Sequence, residues 1–286
     1  MRLGLFPTLL VTAAALIAGG DVASARPRTA SLRSAMPSQN APASVGAPNA
    51  GVLHAGEHLD ETSIIRVVPA FAGRDYRWGL PSLVRGLERA ASLVNKRFPD
   101  SMLSVGDMSR KSGGEIGHHK SHQSGRDVDV GFYMTDREGS PLYAQRFVPF
   151  DGDGVSSAMP SARFDDARNW TLIEALITDP SLRMQRVFVS APLRSRLLKE
   201  AERRNVPLWI RLRAAQLLQQ PKTGVPHDNH FHIRIGCPPG QEAYCEVSPR
   251  TPSRAAPPPT PAPRNRYGTT QAPAAARKRL NPASQY

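Results

Sequence analysis

The sequence predicts a single domain of mixed helices and strands, and three observations support this fold class. Within residues 57–246, several runs repeat apolar residues at the 3.6-residue period of helices. Other short runs are β-branched or alternate apolar with polar residues, as strands do. With 286 residues and 40% hydrophobic content, the chain can form one sizeable core.

The predicted elements follow one another along residues 57–246. Helix 81–97 is the clearest, because Pro81 suits a first helical turn and Leu83 and Leu87 begin an apolar stripe. The complete order is strand 64–68, helix 81–97, strand 102–108, strand 127–134, helix 169–178, strand 186–190, helix 192–205, helix 209–220 and strand 230–235. Residues 135–166 lack a period and are predicted to form a long surface loop.

Both ends of the chain differ from the domain in composition. Residues 1–25 are predicted to be a secretory signal, because Arg2 precedes an apolar run that ends at Ala18 and small residues follow. That run is short for a bilayer-spanning helix, so cleavage is favoured over a retained membrane anchor. Residues 26–56 are predicted to be a disordered linker, and residues 247–286 a disordered, basic, Pro-rich tail. We therefore expect a periplasmic protein.

The formal net charge is +13, which predicts attraction to polyanions. In a bacterial envelope these are wall polymers or anionic lipid surfaces. Nucleic acid is the usual partner of such charge, but export disfavours it. The tail has basic and no acidic residues, and a role in wall binding and a passive solubilising role are both open.

The strand predicted at 127–134 has an unusual acidic face. Strand alternation places Asp127 and Asp129 on one side and Val128 and Val130 on the other. A solvent-facing edge would explain such a face. The histidines just upstream favour a metal site instead.

The strand predicted at 230–235 also alternates. One face carries polar side chains and the other carries apolar ones. The polar face consists of His230, His232 and Arg234, and the apolar face of Phe231, Ile233 and Ile235. Two imidazoles therefore project side by side from a strand that the core anchors.

Histidines concentrate in two stretches about a hundred residues apart. Six of the eight lie there, namely His118, His119, His122, His227, His230 and His232. We expect His122 and Asp129, on either side of a turn at Gly125, to share one zinc ion with His232. Three protein ligands leave a fourth position for water, as in catalytic zinc sites.

Hydrolysis of an amide at such a site requires further groups. Zinc would lower the pKa of its water to about 7 and polarise a carbonyl. His227 and His230 are the candidates for accepting the water proton and for holding the developing negative charge. Asp127 could orient a ligand imidazole through a hydrogen bond.

The two cysteines, Cys237 and Cys245, are predicted to form a disulfide in an exported protein. Zinc ligation by them is the competing interpretation, but their spacing matches no common zinc-finger pattern.

The two histidine stretches together resemble the signature of penicillin-insensitive murein endopeptidases, within the wider group of lysostaphin-like and D-Ala-D-Ala metallopeptidases. The first stretch reads GHHKSHQSGRDVD over residues 117–129, and the second reads HDNHFH over residues 227–232, with Arg234 and Cys237-Pro238 following. The resemblance covers most of residues 57–246. Some family members have further metal ligands from an Asp-x-x-His sequence in the middle loop. This chain has no histidine between His122 and His227, so a second metal is not expected there.

The resemblance implies an α+β fold built on a small antiparallel sheet flanked by helices. It implies zinc at His122, Asp129 and His232, with His119 close by, and His227 and His230 as catalytic histidines. The implied substrate is peptidoglycan, cleaved at D-alanyl–meso-diaminopimelyl cross-links. A D,D-carboxypeptidase or dipeptidase acting on uncross-linked stems is the alternative enzyme. A non-catalytic wall-binding module with structural zinc is the alternative from another class.

Overall fold

The computed structural model describes residues 36–38 and 40–248. The predicted signal, residues 26–35 of the predicted linker and residues 249–286 of the predicted tail lie outside the described residues. Within the described ranges, every helix is too short or too polar to cross a bilayer.

Each helix and strand predicted from the sequence is present, but the chain also forms further short elements, including the strands Pro141–Leu142 and Arg163–Phe164 within the predicted surface loop 135–166. The strands are β1 Ala43–Ala47, β2 Ala50–His54, β3 Glu57–His58, β4 Ile65–Val67, β5 Trp78–Gly79, β6 Leu103–Val105, β7 Asp127–Gly131, β8 Met134–Thr135, β9 Pro141–Leu142, β10 Arg163–Phe164, β11 Met184–Phe188, β12 Leu218–Gln219 and β13 His230–Ile235. The helices are α1 Pro69–Ala72, α2 Pro81–Arg97, α3 Asp166–Thr178, α4 Ala191–Arg203 and α5 Leu208–Leu217.

A six-stranded sheet forms the centre of the domain, with strand order β12-β11-β13-β7-β6-β4. The four inner strands pair antiparallel, whereas β12 and β4 join the edges in parallel. Helices α2, α3, α4 and α5 pack beside this sheet and on one another. The predicted α+β fold with a small antiparallel sheet and flanking helices is therefore confirmed.

The strand alternation predicted from the sequence separates the two faces of the sheet. Val187, Ile233 and Val128 lie side by side on β11, β13 and β7, and all three are fully buried. This apolar row belongs to the core that the helices cover. The intervening residues of the same strands point to the opposite face, where the charged and imidazole side chains collect.

The predicted disordered linker is wrong for residues 43–54, where β1 and β2 form a hairpin. Backbone hydrogen bonds join Gly46 to Tyr244 and Glu246, and Leu53 to Ser112. At Gly46, φ is +74° and a Cβ would lie 2.4 Å from a backbone oxygen, so glycine is required there. Long-range contacts rather than a local apolar pattern hold this hairpin in place.

Arg126 fastens the hairpin to the C-terminal segment. Its guanidinium is fully buried and donates hydrogen bonds to the carbonyl oxygens of Gly46 and Glu246 at 3.3 and 2.6 Å. Burial lowers the pKa of Arg126 to about 10, so the side chain remains charged at neutral pH. The same C-terminal segment contains the predicted disulfide between Cys237 and Cys245.

We predict that Arg126→Met lowers the free energy of unfolding by about 2–4 kcal/mol, because the buried, charged donor that joins the carbonyl groups of Gly46 and Glu246 is lost. Urea denaturation followed by circular dichroism measures this change. The matched control is Arg85→Met, which removes an exposed arginine that pairs with Glu57 at the surface and should leave the midpoint unchanged. Equal midpoints for both variants would contradict the role of Arg126.

Candidate metal centre

Cross-strand register brings the candidate ligands together. His232 on β13 pairs directly with Asp129 on β7, and Arg234 pairs with Asp127. Because directly opposed residues project from the same face of a sheet, these four side chains form two adjacent rows. His122 enters from the loop before β7, in a left-handed conformation with φ of 70°.

Three side-chain atoms converge with the spacing of zinc ligands. His122 Nε2 lies 3.2 Å from His232 Nδ1 and 3.4 Å from Asp129 Oδ1, and His232 Nδ1 lies 3.0 Å from the same oxygen. Ligand atoms that surround zinc tetrahedrally at about 2.0–2.1 Å lie roughly 3.3 Å from one another. Their spacing and their chemical types therefore fit one zinc ion.

The other nitrogen of each imidazole has a hydrogen-bond acceptor. His122 Nδ1 lies 3.0 Å from the Met108 carbonyl oxygen, and His232 Nε2 lies 3.1 Å from Asp127 Oδ1. An N–H donated to these acceptors leaves the lone pairs of His122 Nε2 and His232 Nδ1 directed at the shared point. Such partners are the usual supports of metal-binding histidines.

Both buried carboxyl groups remain ionised. Although burial opposes ionisation, His232 and Arg234 hold the pKa of Asp127 well below its ordinary range. His122 and His230 do the same for the pKa of Asp129, also against burial. Burial likewise opposes charge on His232, but its hydrogen bonds to Asp127 and Asp129 raise its pKa to about 9. A metal ion at His232 Nδ1 would displace the proton held there.

The imidazole of His119 lies beside this triad and forms its hydrogen bond with a different residue. Its Nε2 lies 3.0 Å from Asp107 Oδ2, and its Nδ1 lies 3.6 Å from Asp129 Oδ2. Arg74 also contacts Asp107, at 3.1 Å. His119, His122 and Asp129 offer ligand atoms within 4.8 Å of one another. His119 thus approaches the second oxygen of the Asp129 carboxylate.

His230 stands on the other side of Asp129. Its Nδ1 lies 2.6 Å from Asn229 Oδ1, its ring stacks on Phe147 at 4.9 Å and 17°, and its Nε2 lies 3.6 Å from Asp129 Oδ1. Burial lowers the pKa of His230 to about 4, and burial also lowers the pKa of His227. Both imidazoles are therefore neutral at pH 7.

A cleft of about 1050 Å³ gives access to the triad. His227 and His232 line it, together with Phe188 and Arg186 from β11. The His227 ring centroid lies 4.9 Å from that of His230 and 5.8 Å from that of His232. The cleft walls carry lysine and arginine side chains and no carboxylate among the described residues.

The structure brings seven predicted site residues to this one region. They are His119, His122, Asp127, Asp129, His227, His230 and His232. His118 is exposed at the rim of the cleft and takes no part in the cluster. The sequence prediction missed Asp107, Asn229 and Phe147. Asn229 lies within the second histidine stretch and Phe147 within the predicted loop 135–166, whereas Asp107 lies in the predicted strand 102–108 and has no local signal.

Comparison with known proteins gives a consistent result. The sequence profile of the penicillin-insensitive murein endopeptidase family matches residues 44–256. A protein of that name from Haemophilus influenzae is 28% identical over 179 residues, which are 60% of this chain and 56% of the relative. Its namesake from Pectobacterium atrosepticum is 27% identical over 205 residues, 71% of this chain and 68% of the relative. The chain thus spans little more than half the length of the first relative.

We predict that His122→Ala abolishes tight binding of one zinc ion, because one of three convergent ligands is lost. His118→Ala is the matched control, since it removes an exposed imidazole from the same stretch and should bind zinc as the wild type does. The protein is dialysed against an excess of metal-free chelating resin, and elemental analysis then measures the zinc that remains bound. One retained equivalent in His122→Ala would contradict the assignment.

Proposed function

Because the chain belongs to the penicillin-insensitive murein endopeptidase family, we propose that it is a zinc-dependent endopeptidase that hydrolyses D-alanyl–meso-diaminopimelyl cross-links in peptidoglycan. The single observation that best supports this proposal is the convergence of His122 Nε2, Asp129 Oδ1 and His232 Nδ1 within 3.4 Å of one another. These three residues would hold the zinc. A bound zinc ion supplies Lewis acidity, which polarises the scissile carbonyl and activates water near neutral pH.

His230 is the base that the hydrogen bonds favour. Its Nδ1–H donates to Asn229 Oδ1, so its Nε2 carries the lone pair, and this atom lies 3.6 Å from Asp129 Oδ1. Stacking on Phe147 fixes the plane of the ring. His230 Nε2 can therefore accept a proton from the attacking water and later return it to the leaving amine.

His227 takes the complementary role. It lines the same cleft as His232, and its ring contacts that of His230. Its Nδ1 is buried and has no hydrogen-bond partner among the described residues. A neutral imidazole in this position can donate an N–H to the oxygen on which negative charge develops.

The substrate class agrees with the charge of the chain. Peptide stems of the bacterial wall carry free carboxylates, and the cleft that leads to the triad has basic walls. The net charge of +13 further attracts the chain to anionic wall polymers outside the cytoplasm. The predicted signal at residues 1–25 would deliver it to the periplasm.

We predict that the zinc-loaded chain converts cross-linked muropeptide dimers into monomers, because hydrolysis of the cross-link releases two separate stems. Chromatography of digested, purified peptidoglycan measures both species. A chelator should stop the conversion, and added zinc should restore it. Release of free D-alanine from uncross-linked stems, with dimers left intact, would favour a carboxypeptidase instead. Intact dimers without any released amino acid would favour a non-catalytic wall-binding module.

We predict that His230→Ala keeps one zinc ion but lowers kcat at least about 100-fold, because the proton acceptor is lost while the three ligands remain. Zinc content and turnover are measured on the same preparation. Parallel measurements on His118→Ala control for the loss of an imidazole near the cleft. Loss of zinc from His230→Ala would mean that this histidine is a ligand.

A further inference from the structure

An arginine with unused hydrogen-bond donors lies in the wall of the cleft. Arg186 on β11 lines the cleft beside Phe188, and its guanidinium carbon lies 5.4 Å from the centroid of that ring. No hydrogen bond or ion pair with any described residue engages the guanidinium, and its Nε is buried without a partner. Buried donors are normally paired, so an unpaired one requires an explanation.

The neighbouring arginines are already engaged. The Arg234 side chain donates to Asp127 Oδ1. Arg194 donates to the carbonyl oxygens of Leu218 and Ala215 at 2.8 and 2.9 Å. Lys120 and Lys222 also line the cleft, but both are exposed at its rim. Of these five basic residues, only Arg186 lies on the sheet with a guanidinium whose hydrogen-bond donors are unpaired.

The register of the sheet places Arg186 beside another positive charge, which is unfavourable when no anion is bound. Arg186 lies directly opposite Arg234, and like charges in that position repel. Asp127 lies on the far side of Arg234 and already accepts hydrogen bonds from His122 N and Arg234. An anion in the cleft beside Arg186 would offset this repulsion. The guanidinium of Arg186 therefore has both the charge and the unpaired donors to bind a carboxylate.

The position of this site relative to the triad identifies which carboxylate it would take. Phe188 lies opposite His232, and Arg186 is two residues along the same strand face, a separation of roughly 7 Å. Contact with the Phe188 ring shows that the Arg186 side chain bends toward that row. In the proposed cross-link, the carbon attached to the scissile amide nitrogen also carries a free carboxylate.

We propose that Arg186 binds the free carboxylate of the diaminopimelyl residue on the amine side of the scissile bond. This inference rests on the proposed function and specifies its substrate. The guanidinium forms two parallel hydrogen bonds to the carboxylate, a geometry that lysine cannot reproduce. Arg186 thereby selects cross-links whose leaving amino acid is unmodified.

The test uses two synthetic cross-linked peptides that differ only at this group, one with the free carboxylate and one with a primary carboxamide. For the wild-type chain loaded with zinc, the carboxamide should lower kcat/KM about 10- to 100-fold, because a charge-assisted pair is lost. Arg186→Gln should lower kcat/KM to the same extent for the carboxylate peptide and leave the carboxamide peptide unaffected. Arg186→Lys should fall between the two.

Lys222→Gln is the matched control, because it removes a positive charge from the rim of the same cleft and should preserve the wild-type preference. Equal cleavage of both peptides by the wild type overturns the role of Arg186, and this comparison does not depend on how any variant folds. An unchanged preference in Arg186→Gln overturns it as well. If the wild type cleaves neither peptide, the proposed function fails, and the role of Arg186 falls with it.

Discussion

The antiparallel pairing of β13 with β7 is the constraint on which the candidate site depends. It places His232 opposite Asp129 and Arg234 opposite Asp127, while Phe231 and Ile233 fill the core behind them. A shift of β13 by one residue would turn His230, His232 and Arg234 inward and Phe231, Ile233 and Ile235 outward. The burial that stabilises the sheet therefore also fixes the positions of the candidate ligands.

Burial of two carboxylates disfavours folding, and a network of hydrogen-bond and ion-pair partners offsets this cost. Asp127 accepts hydrogen bonds from Arg234, from the backbone N–H of His122 and from His232. Asp129 is approached by imidazoles from His119, His122, His230 and His232. Isolated buried charges would instead become neutral. The histidines thus keep Asp129 ionised. They also lie where a cation would bind.

The sequence predicts this face of the sheet well because two strong local rules apply to it. Period-two alternation in β7 and β13 assigns each side chain to a face, and the types of residues on the polar face suggest zinc. No local rule reveals the hairpin at residues 43–54, because partners nearly two hundred residues away hold it. Asp107 and Arg186 were missed for the same reason, because their neighbours are distant in sequence: Asp107 contacts His119 from a loop, and Arg186 lies opposite Arg234 on another strand.

Anomalous diffraction at the zinc edge from crystals of the zinc-loaded chain locates the metal itself. We predict a single strong peak within about 2.0–2.2 Å of His122 Nε2, His232 Nδ1 and an Asp129 oxygen, with a fourth position open toward the cleft. A peak placed away from His232, or one enclosed by four protein ligands, would contradict it.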